Sequence, residues 1–146
     1  MAAPACPISD VDWDTPPAGL LPTVIISCSG GSDVGSITDR ATRALVKSGV
    51  GKLVCLAALA CRDEAALASL RAASRVMVFD GCQGRCVERL LETLDIKNPL
   101  RINLADLGLV RDDTVVDDAT IVSIAAQAER ILLQSCRAEA TPPTTL

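Results

Sequence analysis

Between residues 23 and 134 a short run rich in Val, Ile and Leu is followed, four times over, by a stretch with apolar residues at helical spacing. The runs are 23–28 (TVIISC), 52–55 (KLVC), 75–79 (RVMVF) and a weaker one at 100–104. The helical stretches are 36–47, 62–73, 85–94 and 118–134. The last has its apolar stripe at Ile121, Ile124, Ala125, Ala128, Ile131 and Leu132. Few folds accept this alternation. Strands separated by helices pair in parallel, bury both faces and cross over right-handed. The pattern predicts an α/β domain, a Rossmann-like three-layer sandwich with a mostly parallel sheet of about four strands in the order 2-1-3-4. The second strand is expected to begin at KLVC and to run on into LAALA.

The flanks differ. Residues 1–20 carry Pro4, Pro7, Pro16 and Pro17 without periodicity and read as an irregular lead-in. Residues 21–138 read as the single α/β domain, and 139–146, ending in TPPTTL, as a flexible tail.

Composition removes whole classes of function. Apolar residues make up 49% and charged ones 22%, a balance that favours a packed domain over disorder. The 146 residues contain no histidine, which excludes His-dependent triads and His-ligated metalloproteases. A net charge of −4 opposes phosphate-neutralising nucleic-acid binding, and one Trp, one Phe and no Tyr leave no stacking platform. No apolar stretch approaches the roughly 18 residues of a membrane span. The opening MAAPACPISDVDWD lacks the basic and apolar regions of a signal peptide, so the expected location is cytoplasmic. Homo-oligomerisation stays open.

Seven cysteines are the informative residues: Cys6, Cys28, Cys55, Cys61, Cys82, Cys86 and Cys136. An odd number does not make a fully paired disulfide framework, and so apolar a chain needs no staples. Three successive predicted strands end at or just before Cys28, Cys55 and Cys82. In a parallel sheet those ends share one edge, where ligands bind. Strands about 4.8 Å apart would bring the loop-borne sulfurs within reach of a common point. Cys86 adds a fourth sulfur at the start of the next helix. The positive end of that helix, and Arg85 between the two cysteines, favour negative charge there. Cys6 and Cys136 lie outside the constellation and read as ordinary small residues.

The pieces CSGGSDVG (28–35), CLA (55–57), DGCQGRC (80–86) and ADLGL (105–109) follow one another at set intervals, and with them the chain resembles the DGC-domain family. The resemblance implies a zinc-binding protein with four chelating cysteines, carried here by Cys28, Cys55, Cys82 and Cys86. The sequence departs from the family after Cys55, where AALACRDE replaces a glycine-rich stretch and adds Cys61. If the second strand continued through LAALA, Cys61 would stand at its end as a substitute ligand.

Three functional readings follow. The first is Zn²⁺ on four thiolates, in a structural, sensing or storage role, since a closed Cys₄ site offers no position to a substrate. The second is a thiol redox or transfer enzyme, with Cys82 as nucleophile resolved by Cys86 or Cys28. The third is an iron–sulfur cluster on the same cysteines. The chain has no hydrolase or nucleotide-binding signature: SGGSDVG matches neither dinucleotide nor P-loop patterns, C-x-x-C is absent, and no C-x5-R follows. Asp80 is expected to cap a helix or orient the site from behind, with Arg85 as a second supporting residue. Ser32 and Asp33 are expected to cap the first helix. Asp112, Asp113, Asp117 and Asp118 read as an acidic lead into the last helix, since their spacing is not that of a calcium loop.

Overall fold

A computed structural model describes residues 23–140 other than residue 29. The expected lead-in, Cys6 and the TPPTTL end lie outside the described residues. In chain order the elements are β1 (Thr23–Ser27), α1 (Asp33–Lys47), β2 (Lys52–Leu53), α2 (Leu56–Ala60), α3 (Glu64–Ala72), β3 (Arg75–Asp80), α4 (Cys86–Thr93), β4 (Leu100–Asn103) and α5 (Asp118–Ala140). The four strands form one wholly parallel sheet in the order β2-β1-β3-β4, as the alternation predicts.

Side chains leave a strand alternately to its two faces, and the core divides accordingly. Ile25, Met77, Phe79 and Ile102 pack on one face beneath α1 and α5, with Ile37, Ala41, Leu45, Ile124, Ala128 and Leu132 above them. Val24, Ile26 and Val78 point the other way and meet Leu59, Leu67, Leu70, Val87 and Leu91 of α2, α3 and α4. Every residue of β1 is buried, as a strand covered on both sides must be.

Two expectations about extent are corrected. LAALA is helix α2, not a continuation of β2. Ala and Leu are strong helix formers, the stretch has no β-branched residue, and only Leu59 in it is buried. A short apolar run does not by its pattern separate a strand from a helix. The last helix runs past Gln134 to Ala140, into the expected tail. Cys136 continues its buried stripe and is packed in the core, which accounts for this thiol.

Caps follow local chemistry. Ser32 accepts the Gly35 N–H at 3.1 Å to start α1, and Asp63 accepts the Ala66 N–H at 2.9 Å to start α3. Asp117 accepts the Thr120 N–H at 2.7 Å at the start of α5, the lead-in role read for that acidic stretch. Asp33 does more than begin a helix. Its carboxylate accepts N–H groups from Val34, Asp112 and Thr114 at 2.8–2.9 Å, strapping the 110–114 loop to α1. The Asp112 and Thr114 N–H groups hold this carboxyl below its ordinary value of 3.8. A depressed folded-state pKa contributes stability that is full above the ordinary value and is lost as pH falls through the folded one. Asp33→Asn is therefore expected to loosen the loop at neutral pH. The difference from the unmodified chain should close in acid, and amide exchange at Asp112 and Thr114 across that range checks it.

Candidate metal centre

The parallel sheet delivers the predicted cysteines to one edge. Cys55 lies two residues past the end of β2 and is the N-cap residue of α2. Cys28 follows β1, and its N–H donates to the Phe79 carbonyl at 2.9 Å, so the β1–β3 ladder continues one residue beyond the strand. Cys82 stands just past β3, and Cys86 is the first residue of α4. Across the edge the order is Cys55, Cys28, Cys82, with Cys86 beyond the Cys82 turn. Cys61 is the C-cap of α2, at the far end of that helix from Cys55. The continued strand that would have set Cys61 at the sheet edge does not exist.

The Cys28 and Cys82 loops meet backbone to backbone. A Cβ on Gly81 would lie 3.0 Å from the Val34 carbonyl carbon and 3.1 Å from the Gly35 nitrogen, and one on Gly35 would lie 2.8 Å from the Gly30 oxygen. Only glycine permits these approaches. They bind the turn after Cys28, the first turn of α1 and the start of the Cys82 loop into one unit. Buried Thr38 reinforces it, its hydroxyl lying against the carbonyls of both Cys28 and Gly35.

The Cys82–Cys86 segment is held from three directions. The Arg85 N–H donates to the Cys82 carbonyl at 3.2 Å, closing a turn that ends with Arg85 in the left-handed region (φ 47°). The Asn103 amide donates to the same carbonyl at 2.9 Å, while its oxygen accepts the Ala105 N–H at 3.0 Å. Asp80, 3% exposed, accepts the Val87 and Glu88 N–H groups at 3.0 and 3.1 Å and so caps α4 from the end of β3. Burial pushes the Asp80 carboxyl above its ordinary value, and the two N–H groups partly offset this. Arg85 has a carboxylate partner: its guanidinium lies 3.7 Å from Glu88, which also pairs with Arg101 at 2.5 Å.

Two sulfurs come together at Gly84. The point where a Cβ would stand is 3.4 Å from Cys82 Sγ and 3.8 Å from Cys86 Sγ. The sulfurs are therefore no further apart than those two distances laid end to end. Cys28 Sγ borders Gly30 in the same way, at 3.5 Å. Cys28 and Cys82 are half-buried, whereas Cys55, Cys61 and Cys86 are exposed. Among the described residues no three Cys, Asp or Glu side chains are gathered closely enough to hold a metal ion. As a donor set, four thiols on one sheet edge fit a thiophilic cation; as a geometry, the gathering extends to the Cys82–Cys86 pair.

Sequence reasoning missed Asn103, Thr38 and Glu88. Asn103 had a signal: an amide side chain at the end of a strand, next after the apolar Ile102 and just before ADLGL, is a residue placed for its hydrogen bonds. Thr38 and Glu88 sit at ordinary helical positions and had none.

Fold and edge together define a parallel α/β domain whose strand-end loops present cysteines and whose glycines clamp those loops together. The DGC-domain sequence model matches residues 24–131, from β1 through most of α5. The chain belongs to the DGC-domain family, and membership supports a metal-binding role. No curated protein and no solved structure matches the chain. Among the described residues no helix is long and apolar enough to cross a membrane.

Proposed function

We propose that the domain binds one Zn²⁺ through the thiolates of Cys28, Cys55, Cys82 and Cys86, in a sensing or storage role. The observation that carries the reading is the Cys82–Cys86 sulfur pair around Gly84, on a loop clamped to the one that bears Cys28. Zinc supplies a redox-inert, tetrahedral centre, and four thiolates leave it with a formal charge of −2. An ion held by all four sulfurs requires Cys28 and Cys55 to turn toward the pair. Both lie outside regular strand and helix interiors, on the ends that such a movement uses. A site completed by loop movement suits an exchangeable ion better than a permanent one. Free thiols suit a reducing compartment, and on that ground the protein is assigned to the cytoplasm.

Two buried clusters, one on each face of the sheet, hold the fold without the site. Chelation should therefore leave the far-UV circular dichroism unchanged, unlike a zinc finger. Anaerobically purified protein is expected to be colourless and to carry about one equivalent of zinc. Cys82→Ser/Cys86→Ser should reduce that to under about a tenth, because removing two of four ligands leaves a weak site. Cys55→Ser and Cys61→Ser separate the fourth ligand from its neighbour: only the first should lower zinc content. Brown protein with broad visible absorption would replace zinc by an iron–sulfur cluster on the same residues. Metal-free protein would overturn both.

A further inference from the structure

We propose that Cys86 and Cys82 are a thiol–disulfide exchange pair, with Cys86 as the entry thiol for a small disulfide of the glutathione type and Cys82 as the resolving thiol. The proposal stands on the geometry of the pair, independently of the ion. The turn closed by the Cys82 carbonyl and the Arg85 N–H folds the chain back between the two cysteines. Their sulfurs both border Gly84, 3.4 and 3.8 Å from the point where its Cβ would stand. The ring to be closed is short and already folded, so little chain entropy is lost in closing it.

Exposure divides the roles. Cys86 is exposed at the start of α4, where an open, shallow groove is lined by Cys86, Arg89, Leu90, Glu92 and Thr93. A disulfide-bearing tripeptide reaches the sulfur there, and Arg89 offers a cation to its carboxylates. Cys82 is half-buried and packed against the core, so an external reagent meets it second. Exposure thus reverses the assignment of Cys82 as first nucleophile.

The chemistry balances in two exchanges. The Cys86 thiolate attacks one sulfur of the oxidised tripeptide, whose S–S bond breaks. One tripeptide thiolate leaves and takes a proton, and a mixed disulfide remains on Cys86. Cys82, its proton given to solvent, then attacks the Cys86 sulfur and expels the second tripeptide thiolate. Two protein thiols are oxidised to one disulfide, and one small disulfide is reduced to two thiols.

Metal-free, reduced protein treated with oxidised glutathione tests this by mass spectrometry. The expected course is a transient single adduct, followed by a form lacking two hydrogens. Trypsin cuts after Arg85, so the Cys82 and Cys86 peptides should then stay joined by the disulfide alone. Cys82→Ser should stop at the Cys86 adduct, and Cys86→Ser should leave Cys82 largely unmodified. Gly84→Ala keeps every thiol and adds a methyl group in ordinary contact with both sulfurs. It should close about tenfold more slowly, since the methyl group stands against both sulfurs and hinders the approach of one to the other, and small losses of alignment carry penalties of that order or more. A disulfide from Cys82 to Cys28 or Cys55, an adduct that never resolves, or Gly84→Ala closing at the unmodified rate would overturn the proposal. Absence of zinc with normal closure would overturn only the ion reading.

Discussion

Gly81→Val is expected to destabilise the domain by about 3 kcal/mol and to weaken metal binding with it. The new Cβ would stand 3.0 Å from the Val34 carbonyl carbon and 3.1 Å from the Gly35 nitrogen and Val34 oxygen. All three are backbone atoms, with no flexible side-chain end to yield. Both partners are also fixed from elsewhere. The residue before Gly81 caps α4 and accepts the Leu104 N–H, and the residue after it is held by Asn103. The opposing turn of α1 is held by Ser32 and by Thr38. Overpacking a well-packed site costs about 1–3 kcal/mol, and a contact against backbone, which yields least, belongs at the upper end. The gain in extended-backbone preference from a β-branched residue is under about 1 kcal/mol and does not compensate. Urea unfolding should show a lower midpoint at unchanged slope, the sign of lost stability without an altered unfolded state. A loss under about 1 kcal/mol would mean the two loops separate freely, and the clamp would then not govern where Cys28 and Cys82 stand.

This clamp is where legibility from sequence ended. The alternation of short β-branched runs with amphipathic stretches contains the parallel sheet, and right-handed crossovers leave so few arrangements that the strand order follows. Strand ends carry Cys28, Cys55 and Cys82 to a common edge for the same reason, and the capping roles of Ser32, Asp80 and Asp117 follow from side-chain oxygens at helix starts. Helix α2 was lost because Leu-Ala-Ala-Leu-Ala satisfies strand and helix alike until its neighbours decide which faces are covered. The Gly81–Val34 contact joins residues far apart in sequence, the Gly35–Gly30 contact depends on how a local turn folds back, and a glycine shows nothing of what approaches it. Side-chain rotation is equally invisible. Spacing places four sulfurs along one edge but is silent on whether they converge; the two that border Gly84 are also the pair nearest in sequence.

Asn103→Asp is expected to lower metal affinity about 10–100-fold, the range seen when a residue supporting the ligands is lost. Asn103, 8% exposed, uses both ends of its amide: the nitrogen donates to the Cys82 carbonyl and the oxygen accepts from the Ala105 N–H. The substitution keeps an oxygen for Ala105 but sets a second oxygen, with no proton at neutral pH, against the Cys82 carbonyl. Donation becomes repulsion at the first residue of the turn that presents both sulfurs. Asn103→Ala loses both bonds without adding charge and supplies the comparison. If Asn103 acts through Cys82, both variants should bind metal weakly, and the Cys82 thiol should become easier to alkylate. If its role is only to order the Ala105 turn, Asn103→Asp should bind as the unmodified chain does while Asn103→Ala does not. Thermal midpoints alone would not separate these cases, because a buried amide stabilises the fold in either one. Competition of a colorimetric chelator for the bound ion, read beside the alkylation rate of Cys82, separates them, and a normal affinity in Asn103→Asp would remove Asn103 from the site.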